Sequence, residues 1–346
     1  MKPQTRARFE REVLQPLAQG YGVGSVRESF AIEPSVSQRL NDKIVEQSTF
    51  LGQINIVPVD EIKGENILGY AKEPVTSRTD TTTPTGERKP KDVLGLGKYE
   101  YELKKTDSDV LIRYSTIDSW AKFPDLADRY SRYVQERIAG DRELIGWYGV
   151  DWADNTDLAT YPLLEDVNKG WLQYMRENLP ANILEEGGTP GEIRIGLNGD
   201  YSCLDVAVND LLEGIPYYLQ KDLVALIGRD LISRERAILF EAVQGTPTEK
   251  QAMDSFSQKY GNLPWQTPSF FPARGLVITP LANLSIYHQD SSWRRKLEDN
   301  AKKDQYEDYL SRNEGYVVEV PEMLVAVEFD NVKLPFTKPD GTIEWR

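Results

Sequence analysis

The chain has 346 residues, 40% of them apolar and 28% charged, the balance of a globular protein with one elaborated domain or two. Its net charge of −14 argues against broad electrostatic attraction to nucleic acid. One cysteine, Cys203, excludes an intrachain disulfide and a thiolate cluster, and one histidine, His288, excludes a multi-histidine metal site.

The first thirty residues run against the acidic trend. Lys2, Arg6, Arg8, Arg11 and Arg27 outnumber Glu10, Glu12 and Glu28, so this segment is positive and is expected to meet a partner of its own. Within it, Phe9, Val13, Leu14 and Leu17 predict a basic amphipathic helix over 4–19, bent or ended by Pro16. GYGVGS at 20–25 reads as a hinge, because no strand precedes it as a dinucleotide loop requires. The whole segment reads as detachable. No signal-peptide core is present at its start, and the apolar runs are too short to span a bilayer, so no membrane is expected.

A second amphipathic helix is predicted over 35–51, with Val36, Leu40 and Ile44 on one side. INIVPV at 54–59 and ENILGYA at 65–71 read as strands. Residues 72–98 are rich in Thr, Pro and Gly and nearly devoid of core-forming side chains. KYEYELKK then alternates, with Tyr99, Tyr101 and Leu103 on one face, and DVLIRYSTI continues as a strand to about Ile117. Together these predict a long two-stranded ribbon with a polar tip. Such a ribbon is marginal alone, so a neighbouring subunit is a natural support for it.

The rest is organised around 123–148. Pro124 suits a first helical turn, and Leu126, Ala127, Tyr130, Val134, Ile138, Ile145 and Tyr148 form one stripe. The helix would be roughly 37 Å long, weakened mid-way by Gly140. Arg129, Arg132, Glu136, Arg137, Asp141, Arg142 and Glu143 are expected on its wet face. Further on, a helix is predicted over 162–180 with Leu164, Val167, Trp171, Leu172 and Met175 inward. Another spans the stretch after Asp200, using Leu204, Val208, Leu211 and Leu212. DLVALIG reads as a buried strand, Arg229 starts a helix, and 247–260 is expected to be helical. Two strands follow near 305–329, and the last residues read as a loose tail.

No constellation reads as catalytic. Asp60/Glu61 and Glu185/Glu186 lie in turns, whereas acid–base work needs carboxyls converging in a pocket. Asp205, Asp210 and Asp222 lack calcium-loop spacing. Cys203 reads as a buried small residue, and His288 as a hydrogen-bonded or surface histidine. Arg294, Arg295 and Lys296, followed by Glu298 and Asp299, suit an interface or a solvated helix face. No catalytic, cofactor-binding or metal-ligating residue is expected, and no cofactor.

Several phrases together carry a resemblance. They include FAIEPSV at 30–36, INIVPVDEIKGE at 54–65, SRTDTT at 77–82 and RKPKD at 88–92. YSTIDSWAKFPD at 114–125, LLEDVNKGWLQYMRE at 163–177, GDYSCLD at 199–205 and LVALIGRDL at 223–231 follow. FFPARGLVITPLANLSIYHQDSSWRR at 270–295, DNAKKDQYEDYLSRNEGYVVE at 299–319 and a final VAVEF complete the set. In this order, over nearly the whole chain, they resemble the major capsid proteins of P-two-like (Peduovirus-type) tailed phages.

The resemblance implies an α+β fold of the Hong Kong 97 type, with spine helix, peripheral β-sheet domain, axial domain, extended β-hairpin loop and N-terminal arm. The implied divisions are a scaffold-interacting, cleaved segment at 1–30, an arm at 31–53, and the hairpin loop with its base at 54–115. A peripheral domain at 116–199, an axial domain near 200–300 and return strands with a tail at 301–346 complete it. The resemblance further implies cleavage near Phe30–Ala31, and assembly through spine residues Trp120, Phe123, Leu126, Tyr130, Val134 and Ile138. It also implies inter-subunit contacts from loop residues Arg78, Asp80, Arg88, Lys89, Lys91 and Asp92. The implied role is a shell of hexamers and pentamers around double-stranded DNA, assembled in the host cytoplasm. Internal scaffold, a capsid protease and a portal protein are the implied partners. The 184–199 loop is short and the tail after Phe329 differs from the family pattern. The rival readings are an encapsulin-like nanocompartment shell and a soluble acidic hydrolase.

Overall fold

The computed structural model describes every residue except 66–69, 72–75, 81, 83–86, 89, 91–93, 96–98, 124, 243–258 and 339–341. Its centre is the long strand Gln305–Val318. Alternation puts Tyr306, Asp308, Leu310, Arg312, Glu314 and Tyr316 on one buried face. Both edges of this strand are paired. Arg294–Asn300 and Leu284–Gln289 lie antiparallel along it, as do Lys104–Asp107 and Val110–Arg113. Asn55–Val59 adds in parallel to Leu284–Gln289, and Phe30–Ala31 adds antiparallel to Arg294–Arg295, completing a seven-stranded sheet.

The predicted spine is present as Leu126–Tyr148. It runs unbroken through Gly140 and buries Leu126, Tyr130, Val134 and Ile138 against the sheet. Its C-terminal turn ends in an aromatic cluster, with Trp147 4.9 Å from Trp171, 4.8 Å from Phe271 and 5.5 Å from Phe50 between ring centroids. Gly146 is required here, because a β-carbon would lie 2.2 Å from the Trp171 ring.

Several expectations are corrected. The strand predicted to reach Ile117 stops at Arg113, and Tyr114–Trp120 is helical, burying Tyr114 and Ile117. The helix predicted from 162 begins only at Trp171, which leaves Leu164 and Val167 in the preceding loop. Gly170 is extended and passes so close to the spine that a β-carbon would meet the Ile145 carbonyl oxygen at 2.3 Å, while Leu164 is left-handed. The N-terminal helix does not end at Pro16. It spans Pro3–Gly20, with a π-helical turn over Glu10–Leu14 immediately before the proline. That wide turn lets the chain pass a residue that lacks an N–H and crowds the preceding turn. The expected loose tail is a hairpin, Pro335–Thr337 against Ile343–Trp345. Arg294–Asn300 is a strand and not a solvated helix face. Cys203 is half-buried, at the start of Leu204–Glu213. The helix expected over 247–260 falls mostly outside the described residues, and its last two, Lys259–Tyr260, pair as strand with Leu263–Pro264.

A second, six-stranded sheet holds its own core. Val224–Ile227 and Leu276–Thr279 form its centre, and Val325–Val327 joins at one side. Leu204–Glu213 packs Leu204, Val208 and Leu211 into it, as the periodicity predicts. Thus Gln305–Val318 serves the first sheet and Val325–Val327 the second.

Candidate assembly surfaces

The N-terminal segment is docked, not free. Phe9 is fully buried, 4.8 Å from Tyr306 and 5.9 Å from Tyr130 between ring centroids. Arg6 pairs with Asp299 at 2.9 Å, and Arg8 donates to the Phe123 carbonyl at 2.9 Å. Two of the arginines that face away from the stripe thus tie the segment to the strand Arg294–Asn300 and to the chain just before the spine. Phe30 is half-buried and Ala31 exposed, on the outer edge of the sheet.

Two buried charge clusters fasten segment, arm and spine to the long strand. In the first, Arg295 donates to both oxygens of Asp308 at 2.9 and 2.6 Å, and to the Tyr21 hydroxyl at 2.6 Å. Tyr130 of the spine donates to the same carboxylate at 2.6 Å. Burial, and then the Asp308 charge, push the Tyr130 hydroxyl well above its ordinary value. In the second, Arg142 and Arg312 both bind one oxygen of Glu314. Arg142 also donates to Asn41 of the arm helix Pro34–Val45 at 2.7 Å, and Arg312 to Ser108 at 2.8 Å. Burial alone would raise the Glu314 carboxyl, but the two guanidinium charges outweigh it and hold it at about 2. His288 lies opposite Glu314 in the sheet, buried, with neither ring nitrogen hydrogen-bonded and Nε2 3.5 Å from an Asp290 carboxylate oxygen. Burial first, then the Arg142 charge, lower its pKa.

These clusters overturn the expectation that Arg142 and Glu143 are wet. Arg142 is 0% exposed and Glu143 2%. Burial raises the Glu143 carboxyl against the bond that Ser48 donates to it. The signal was in the spacing: Arg142 is four residues after Ile138, on the same stripe.

The ribbon is rooted on the first sheet. Lys63–Glu65 pairs antiparallel with Glu100–Glu102, and farther out Tyr70–Ala71 pairs with Leu94–Gly95. Tyr101 and Leu103 are buried at the root, with Tyr101 4.8 Å from the Tyr287 ring, as the alternation predicts. Arg78, Asp80 and Arg88 are exposed, and the Thr82 hydroxyl and N–H hold the Asp80 carboxyl below its usual range. Lys89, Lys91 and Asp92 lie outside the described residues.

The predicted spine residues divide. Leu126, Tyr130, Val134 and Ile138 face their own sheet. Trp120 is half-buried in the preceding helix, 6.1 Å edge-on from Tyr133, and Phe123 is 45% exposed beneath Arg129. Other exposed apolar residues escaped the sequence reading. Val150, Leu158 and Tyr161 occupy one loop, and Tyr217 is 90% exposed beside Tyr218. The carboxylate pairs are exposed in turns, and among the described residues no group of three His, Cys, Asp or Glu is placed to hold a metal.

Residues 10–330 match the family model of the phage major capsid protein, P2 family. The chain belongs to that family. It is 40% identical to the capsid proteins of Escherichia phage P2, over 92% of each chain. It is 28% identical to the major capsid protein of Serratia phage KSP20, over 85% of this chain and 87% of that one. Among solved structures it is similar to a chain of the satellite phage P4 procapsid that includes the size determination (Sid) protein. That likeness has 35% identity, a TM-score of 0.78, and coverage of 96% of this chain and 99% of the other. The capsid of an empty GTA particle, at 12% identity and TM-score 0.50, covers 82% of this chain and 90% of that one and shares the fold alone. This capsid protein therefore has the mixed helix-and-sheet fold of the Hong Kong 97 type, and it forms the virion shell. No helix among its described residues is long and apolar enough to cross a membrane.

Proposed function

We propose that this capsid protein closes into hexamers and pentamers forming an icosahedral head around packaged double-stranded DNA, and that it performs no reaction. The ribbon carries the reading. Its root, the separate pair Lys63–Glu65 and Glu100–Glu102, packs on the subunit's own sheet through Tyr101 and Tyr287, while residues 76–80, 87 and 88 are exposed, which supports a tip offered outward to a neighbour. Arg78, Asp80, Arg88, Lys89, Lys91 and Asp92 are the proposed contacts, each modest and summed by a closed lattice. The stretch near 200–300 is the proposed axial domain, and the separate hydrophobic core that includes Leu204, Val208 and Ile278 supports it. The basic segment 1–30 meets internal scaffold and the capsid protease, is cut near Phe30–Ala31, and one vertex takes a portal protein. A net charge of −14 suits a DNA container, because a strongly basic wall would pin the genome.

The test is light scattering with negative-stain microscopy on the expressed chain and on a variant with residues 76–90 replaced by a short Gly-Ser turn. Closed particles from the full chain and folded, unassembled subunits from the variant are expected. A full chain that stays a small oligomer under conditions where its scaffold is supplied refutes the reading.

A further inference from the structure

A hollow of about 270 Å³ lies between the N-terminal helix, the arm helix and the spine. Its floor is Val134, Ile138 and Leu310, all buried, and its end wall includes Leu17 and Tyr21. Two walls have helical spacing. The arm helix presents Val36, Arg39, Leu40 and Lys43, and the spine presents Ser131, Val134, Gln135 and Ile138. Both sets follow i, i+3, i+4, i+7, which is the face a helix shows to a third helix packed along it. Two walls of about two turns each run roughly 10 Å along the groove. The volume falls below the range of about 300–1,000 Å³ typical of small-molecule sites, and suits a few aliphatic side chains.

The rim is charged on one side. Arg39 and Lys43 are exposed, one turn apart, and neither forms an ion pair among the described residues; the Arg39 guanidinium donates only to the Ser35 carbonyl, at 3.3 Å. In a chain of net charge −14, two uncompensated cations beside an apolar groove select an acidic occupant. A second copy does not supply one from the acidic helix Leu204–Glu213, whose apolar stripe is buried in its own core.

We propose that this groove binds an acidic amphipathic helix of a different protein. Two or three aliphatic side chains would fill the hollow over Val134, Ile138 and Leu310. Its carboxylates would face Arg39 and Lys43. The proposal stands on the groove alone and does not depend on the shell reading.

The probe is a fluorescein-labelled, side-chain-stapled helix of about sixteen residues, since a free helix that short is marginal in water. It carries Leu at i, i+3 and i+7 and Glu flanking them, and is titrated by anisotropy against the full chain. Saturable binding is expected, weakened at least about tenfold by Arg39→Glu/Lys43→Glu. It should also weaken when salt rises from about 0.05 to about 0.5 M. The same peptide with Lys for Glu should bind at least about tenfold more weakly. Both substituted residues are exposed, and an unchanged melting temperature confirms the fold; Leu40→Glu, which drives a charge into the hollow, provides a second variant. No saturable binding, equal binding of the acidic and basic peptides, or acidic-peptide binding that ignores the double substitution would each overturn the proposal. Self-association abolished by the double substitution, with no peptide binding, would assign the groove to a second copy and equally overturn it.

Discussion

Replacing Arg142 with Met tests whether the second charge cluster holds spine, arm and sheet together. Met keeps most of the stem volume beside Trp293 but removes the guanidinium. Glu314 then keeps only Arg312 as a charged partner, and the Asn41 side-chain oxygen loses its donor. Removing one partner of a fully buried pair costs about 3–5 kcal/mol, because the desolvation of the remaining charge is no longer offset. An unfolding entropy of about 2.1 cal/mol/K per residue gives about 0.7 kcal/mol/K for a chain of this length, so a loss of about 4 kcal/mol lowers the melting temperature by roughly 6 °C. The control is Arg137→Met. Arg137 pairs with Asp141 at 3.0 Å but is 61% exposed, and such an i, i+4 pair contributes only about 0.3–0.5 kcal/mol. Calorimetry on purified, unassembled subunits at neutral pH measures both. Equal shifts for the two variants, or an Arg142→Met shift under about 1 °C, would refute the argument that this cluster fastens the fold.

Tyr130→Phe removes one donor from Asp308 while Arg295 remains, so a loss of about 1–2 kcal/mol in urea unfolding is expected. Gly170→Ala forces a β-carbon against the Ile145 carbonyl, and should lower stability by about 1–3 kcal/mol and sharply reduce soluble yield; wild-type stability would show that the close approach is not real. His288 is lowered from 6.5 by burial, so it is neutral in the fold and takes up its proton on unfolding. Its depressed value stabilises the fold above pH 6.5, and that contribution is lost as pH falls below it. The stability difference between wild type and His288→Asn should therefore shrink between pH 7 and pH 5, and parallel urea midpoints across that range would contradict the assignment. Glu314, held at about 2, adds a contribution that is full above 4.5 and is lost as pH falls towards 2.

What could be read in the sequence followed from periodicity. The spine, the alternating root of the ribbon and the helix Leu204–Glu213 each repeat apolar residues at their own period, whereas the strand Asn55–Val59 shows as a short apolar run. What could not be read was set by contacts far along the chain. Nothing local marks Gly170 as pressed against the spine, so the apolar spacing alone extends the helix from Trp171 back to Pro162. The buried charges misled for another reason: Arg142 and Glu143 look solvated until their partners are known. Yet Asp308, Arg312 and Glu314 alternate in step with Tyr306, Leu310 and Tyr316. Charges in phase with an apolar face are the available sign of a buried network. The exposed apolar surface was less legible, since Tyr217 and Tyr218 carry no periodic mark of their exposure.

The pairing of Phe30–Ala31 with Arg294–Arg295 has a consequence for the timing of any cut there. The neighbouring backbone is tied as well, by the Ile32 N–H to the Trp293 carbonyl at 2.9 Å and the Leu297 N–H to the Val26 carbonyl at 2.8 Å. A peptidase grips its substrate as an extended strand, and here that role is already taken by the subunit's own border. For the proposed cut, the bond would first have to be peeled away, and the rate of scission would become a clock for the lifting of this hem.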